Sequence, residues 1–265
     1  MAEVPRSEVR VRGANGQTLV LAVDDVMPPH PAPGLPPVVL VHGFASDRQV
    51  NWVSPSWYRA LGEAGRRVIA FDARGHGASS KPHDPADYDE GMMAADIAFV
   101  MASRGVREAD VVGYSMGGFL AMRLAHDMPA RVRKLVVAGV GENYFNVADP
   151  LAPRIADGLL APSINEVGDP VARDFRKFAD RKGTDLKALA ACMRRPRRIF
   201  AAAELGRITA PVLVICGERD VMTGSPVPLA KAFVKGEAVI VPNRDHMTAV
   251  GDPVTKREVV KFLSE

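Results

Sequence analysis

The stretch Gly113-Tyr114-Ser115-Met116-Gly117-Gly118 constrains the fold more than any other in this chain. It lies between an apolar β-branched pair, Val111-Val112, and a helix-like segment over residues 119–126. A serine between two glycines in that setting reads as a strand, a tight turn and a helix. The turn lifts the serine hydroxyl clear of the backbone, and the glycines remove side chains that would collide there. The helix that follows opens with unpaired N–H groups beside the hydroxyl, suited to a developing negative charge. Such spacing arises by chance in roughly one chain of this length in ten, so the residues downstream decide what it means.

A serine hydroxyl becomes a nucleophile only when a neutral imidazole takes its proton, and the imidazole needs a carboxylate to fix its tautomer. Both are present, in that order, after apolar runs. Residues 211–216 (PVLVIC) read as a buried parallel strand followed by Gly217-Glu218-Arg219-Asp220. Residues 238–241 read as the next strand, followed by Asn243-Arg244-Asp245-His246. Loops after parallel strands are where such a sheet presents functional groups. The expected roles are Ser115 as nucleophile, His246 as general base and then acid, and Asp220 as orienting carboxylate. Glu142, just past the sixth strand, is the alternative acid, whereas Asp245 is too close in sequence to His246 to face it. Activity should fall as pH drops and the base is protonated.

With His42-Gly43-Phe44 after the run Val38–Val41 and Asp72-Ala73-Arg74-Gly75-His76-Gly77-Ala78-Ser79 after Val68–Phe71, the chain resembles the α/β-hydrolase fold superfamily, in its branch of serine hydrolases with a helical cap. The resemblance covers nearly the whole length. It implies an oxyanion hole from the backbone N–H groups of Phe44 and Met116, and structural roles for His42 and His76. It further implies hydrolysis of a small or medium carboxylic ester through an acyl-enzyme, with no metal and no organic cofactor. Relatives with aspartate at the position of Ser115 (haloalkane dehalogenases, epoxide hydrolases) or cysteine (dienelactone hydrolases) are set aside by residue type. Lactone, thioester and carbon–carbon bond cleavage stay open. So do perhydrolysis, since the GYSMGG elbow also resembles cofactor-free haloperoxidases, and a ligand receptor that keeps the triad.

The strand and helix signals predict an α/β fold: eight strands in a twisted, mostly parallel sheet with helices on both faces. An antiparallel hairpin over residues 8–23 comes first, and a six-proline connection over residues 27–37 leads into the first parallel strand. Strand–helix alternation then runs to Gly141, stops, and resumes at Pro211. The division expected is a core of residues 1–141 and 208–265, with a helical cap of residues 142–207. Tyr144, Phe145, Phe175 and Phe178 of that insertion are candidate pocket residues. The insertion carries twelve basic residues against nine acidic ones, densest at Arg194-Arg195-Pro196-Arg197-Arg198. That run is expected to be a solvated helix face; the alternative is attraction of an anionic substrate.

Composition excludes several other classes. The 265 residues are 47% hydrophobic and 25% charged, enough for a sizeable core, and a net charge of +3 gives no case for nucleic acid. Nothing approaches the ~18 apolar residues of a membrane span. The opening MAEVPRSEVR lacks the apolar centre of a secretory leader, and the two cysteines, Cys192 and Cys216, have neither disulfide nor metal spacing. A cytoplasmic enzyme acting on a small-molecule ester or lactone is the expectation. His30, His83 and His126 are expected to be solvated, and oligomeric state is left open.

Overall fold

In a computed structural model the chain forms one eight-stranded sheet; the structure describes residues 7–146, 151–181, 184–195 and 197–265. Pro196 and the first six residues lie outside these. The strands are β1 (Ser7–Arg12), β2 (Thr18–Val26), β3 (Val38–Val41), β4 (Val68–Phe71), β5 (Ala109–Tyr114), β6 (Val132–Ala138), β7 (Val212–Gly217) and β8 (Gly236–Val241). Their spatial order is β1-β2-β4-β3-β5-β6-β7-β8. The β1–β2 and β2–β4 pairings are antiparallel, and all later ones are parallel. The central strands VVLV, VIAF and VLVICG are buried at every residue, as strands covered on both faces must be. β1 and β8 are the sheet edges and expose much of their length.

Successive side chains on a strand point to opposite faces, so each strand feeds two cores. Val39, Val41 and Val111 join Ile97 and Met101 of helix α2 (Glu90–Ser103) and Leu120 and Leu124 of helix α3 (Met116–Asp127). Val38, Leu40 and Val112 join Trp57 and Leu61 of helix α1 (Trp57–Glu63) and Val259 and Phe262 of helix α9 (Pro253–Ser264). Each such buried side chain stabilises the fold by about 1.5–3 kcal/mol relative to exposure. In chain order the helices are α1 (Trp57–Glu63), α2 (Glu90–Ser103), α3 (Met116–Asp127), α4 (Leu151–Leu160), α5 (Pro170–Ala179), α6 (Leu186–Met193), α7 (Ala202–Leu205), α8 (Pro226–Ala230) and α9 (Pro253–Ser264). Between β6 and β7 the described residues hold helices and no strand. Acidic N-caps start two of these helices: Asp169 accepts from the Ala172 N–H at 2.8 Å, with Pro170 at the first helical position, and Asp185 accepts from the Ala188 N–H at 3.0 Å.

The winding places the site. From β3 the chain moves outward to β4, then crosses back to β5 on the other side of β3. Ligands bind in parallel sheets at this kind of reversal, beyond the strand carboxyl ends. Val41 is in register with Gly113, so the residues following β3 and β5 emerge side by side.

Candidate active site

Ser115 stands between β5 and α3 with φ 52° and ψ −115°, a backbone conformation that costs a non-glycine residue about 1–3 kcal/mol. The glycines around it answer to close approach instead. A Cβ on Gly113 would lie 2.2 Å from the Gly117 carbonyl oxygen, and one on Gly117 would lie 2.0 Å from that of Val41. The helix start is thus pressed against β3 and β5, and the strain falls on the serine.

His246 Nε2 is 3.0 Å from Ser115 Oγ, and His246 Nδ1 is 2.8 Å from Asp220 Oδ2. Both His246 and Asp220 are buried. A carboxylate beside Nδ1 holds the proton there and leaves Nε2 free to accept from the hydroxyl. The other oxygen of Asp220 accepts from the N–H groups of Met222 and Thr223, both at 3.2 Å, which fixes the loop after β7. Glu142 faces elsewhere: its Oε1 accepts from the Ser225 N–H at 3.1 Å. Asp245 folds back on its own loop, accepting from the Met247 and Thr248 N–H groups at 3.0 and 2.9 Å.

The turn after β3 packs against this assembly. The Gly43 N–H donates to Asn51 Oδ1 at 2.7 Å, and a Cβ on Gly43 would lie 3.4 Å from Ser115 Cβ. Among the described residues the N–H groups of Phe44 and Met116 have no acceptor within the protein. His42 accepts from the Ala73 N–H on Nε2 at 2.9 Å, so its proton is on Nδ1, which donates to the Gly43 carbonyl at 2.8 Å. Burial lowers its pKa, which suits a neutral ring accepting a hydrogen bond. His76 is held well below the ordinary histidine value, by burial first and then by His42. The rest of the Asp72–Ser79 motif is scaffolding. Arg74 clasps Asp96 through Nε at 2.8 Å and Nη2 at 2.7 Å, while Asp72 accepts from the Arg48 and Ala78 N–H groups, each at 2.8 Å.

A cavity of about 660 Å³ opens above Ser115 and His246, within the usual range for small-molecule sites. Phe44, Met116, Phe119, Tyr144 and Phe175 line it. Phe145 and Phe178 do not. Phe145 is exposed and meets Tyr144 edge-on, while Phe178 is covered by the Arg181 guanidinium 4.2 Å from its ring centroid. Arg194, Arg197 and Arg198 of the arginine run are exposed as expected, but they do not form a helix face: α6 ends at Met193, and Arg194, Arg195 and Arg197 line the cavity. Arg194 and Arg198 reach outward to Asp157 (3.1 Å) and Glu204 (2.7 Å), but Arg195 is buried.

A family model for the alpha/beta hydrolase fold matches residues 36–190, more than half of the chain. The chain belongs to the α/β-hydrolase fold family. A Pseudomonas putida dihydrolipoyllysine-residue acetyltransferase component of an acetoin cleaving system is 31% identical over 226 residues, covering 80% of this chain and 58% of that protein. The mouse sn-1-specific diacylglycerol lipase ABHD11 is 38% identical over 151 residues, covering 56% of this chain and 46% of the lipase. The chain therefore spans only about half the length of these two relatives. The crystal structure of a Pseudomonas aeruginosa hydrolase superposes with a TM-score of 0.70 at 25% identity, covering 98% of this chain and 99% of that one.

Within this α/β-hydrolase fold, sequence reasoning passed over two residues that bond to this assembly. Tyr114 donates its O–H to the His246 carbonyl, and its ring lies 5.6 Å from the imidazole. Burial pushes its pKa far above the ordinary phenol value, so the donor stays protonated. A tyrosine ending an apolar strand must place its hydroxyl somewhere, and that was the available signal. Asn51 is the other, a buried amide in an apolar stretch. Among the histidines away from the site, His30 is exposed and His83 bonds Asp185 at 2.9 Å. His126 is half-buried, its ring stacked on Phe200 at 4.2 Å. Both cysteines are free and buried; burial pushes the Cys216 thiol up to about 12 and raises that of Cys192. Among the described residues no group of three or more His, Cys, Asp or Glu could hold a metal ion, and no helix is long and apolar enough to cross a membrane.

Proposed function

We propose that this protein is a serine hydrolase that cleaves a carboxylic ester through an acyl-enzyme, with residues 142–207 forming a cap over a core of residues 1–141 and 208–265. The relay Ser115–His246–Asp220, at 3.0 and 2.8 Å, is the observation that carries this reading. Ser115 Oγ attacks the ester carbonyl as His246 Nε2 takes its proton, and Asp220 stabilises the imidazolium. The carbonyl oxygen, now negative, is received by the N–H groups of Phe44 and Met116, each donor worth about 10²–10³ in rate. His246 returns the proton to the departing alcohol. A water activated by the same imidazole then attacks the acyl-enzyme, releasing the acid and restoring Ser115.

The similarity to a diacylglycerol lipase supports ester chemistry, and the lining of Phe119, Tyr144 and Phe175 suits an apolar acyl chain. The test is a fluorophosphonate probe read by mass spectrometry, beside a panel of p-nitrophenyl esters of rising chain length. A single adduct on Ser115, lost in His246→Ala, together with ester turnover lost in Ser115→Ala, is the expected result. Labelling elsewhere, or turnover that survives Ser115→Ala, overturns the assignment.

A further inference from the structure

The cavity above Ser115 has an uneven charge. Among the described residues its lining includes Arg154, Arg194, Arg195 and Arg197 and no Asp or Glu. Two of these are matched by carboxylates, Arg154 with Asp169 at 2.8 Å and Arg194 with Asp157 at 3.1 Å. Arg195 and Arg197 form no ion pair with any described residue. Arg195 is 5% exposed; its Nη1 donates to the Cys192 carbonyl at 2.6 Å and the Cys192 sulfur at 3.3 Å, and its buried Nε has no partner. Arg197 lies over the Phe119 ring, 5.4 Å from the centroid, with a nitrogen 3.6 Å from Met193 Sδ. Unlike Arg195, Arg197 is exposed.

Arg195, buried against Cys192 with its Nε unpartnered, loses hydration without gaining an ion pair, a costly arrangement unless an anion completes it, and Arg197 adds a second, exposed guanidinium on the same cavity wall. Glu90 feels the charge of both arginines, yet it makes no ion pair with either and one of its oxygens is buried without a partner. It does not line the cavity. The geometry points to an anion subsite at Arg195 and Arg197, facing the same cavity as Ser115, that receives a carboxylate carried by the ester substrate. Arginine presents paired N–H donors that match a carboxylate, and such charge-assisted bonds strengthen where water is excluded.

This rests on the ester-hydrolase reading, and the test separates the two. Rates are compared within matched pairs: monomethyl glutarate against methyl valerate for a carboxylate on the acyl side, and O-butyryl glycolate against ethyl butyrate for one on the alcohol side. At least one pair should favour the carboxylated ester in kcat/KM by about ten- to hundred-fold, the range of a charge-assisted hydrogen bond. The preference should shrink with added salt and fall to near parity in Arg195→Gln/Arg197→Gln. The lysine double variant should keep part of it, and the neutral ester in each pair reports that the variant is folded. Parity in both wild-type pairs, or a preference that survives the glutamine double variant, overturns the subsite and leaves the ester reading intact. If no ester is turned over, calorimetry with glutarate decides. Binding lost in the double variant upholds the subsite while the ester reading fails; no binding by the wild type overturns the subsite.

Discussion

Replacing Ser115 by glycine should stabilise the protein relative to replacing it by alanine, the reverse of what an ordinary backbone position gives. Both variants lose the hydroxyl and its 3.0 Å contact with His246, so their difference isolates the Cβ. At φ 52° and ψ −115° that Cβ costs about 1–3 kcal/mol. Glycine gives back about 0.4–1 kcal/mol through the greater freedom of its unfolded chain. It also forgoes roughly half of the ~0.8 kcal/mol that burying a methyl supplies, since the position is half-buried. The balance is about 1 kcal/mol in favour of glycine, or a melting point some 2–4 °C higher for a chain of this size. Urea midpoints of the two variants at one pH, with equal slopes, measure it without any knowledge of substrate. An alanine variant as stable as the glycine variant, or more so, would show that the elbow stores no strain at Ser115.

Three further outcomes follow from particular contacts. Asp220→Asn should lower kcat/KM by about 10³–10⁴-fold whereas Glu142→Gln, whose carboxylate bonds the Ser225 N–H, should lose less than about tenfold; comparable losses in ester kinetics would reassign the acid. Tyr114→Phe leaves the His246 carbonyl without its donor and should cost about 1–3 kcal/mol of stability, read as a lower urea midpoint, together with a reduced kcat; an unchanged midpoint counts against the contact. His42 and His76 are buried with lowered pKa values, so between the unfolded value near 6.5 and their folded values the unfolded chain binds more protons and stability falls as pH falls. Asp96, pushed up to about 6 by burial, acts in the opposite sense, so the comparison is with His76→Gln, whose midpoint should drop less than the wild type's between pH 7.5 and 5; an equal drop refutes the assignment.

What the sequence disclosed follows the range of each physical signal. The apolar runs at β3, β4, β5 and β7 are legible because a strand covered on both faces has no room for a polar residue. The same runs locate the loops that hold Ser115, Asp220 and His246, since functional groups emerge at strand ends. The partners of Tyr114 and Asn51 were illegible for the opposite reason. Tyr114 bonds a residue 132 positions away and Asn51 bonds a backbone N–H, and no local pattern records where a single polar atom finds its partner. The arginine run is solvated at Arg194, Arg197 and Arg198 but not at Arg195, and it is not a helix face, because whether a helix continues beneath the charges depends on where α6 stops, at Met193.

The division of labour in the fold also explains why substrate choice is harder to read than reaction chemistry. Ser115, Asp220 and His246 sit on loops of the sheet, so their spacing is set by strand registers that tolerate little change. The facing wall, with Tyr144, Phe175, Arg195 and Arg197, comes from the helical segment between β6 and β7. That segment is not independent of the turn beside Ser115. Arg181 donates to the Ala45 carbonyl at 2.6 Å, one residue past Phe44, and Phe44 packs on Phe175 at 5.8 Å. A substitution in the helices that shifts α5 therefore moves the Phe44 N–H as well, and a change intended to alter specificity should register in kcat as well as in KM.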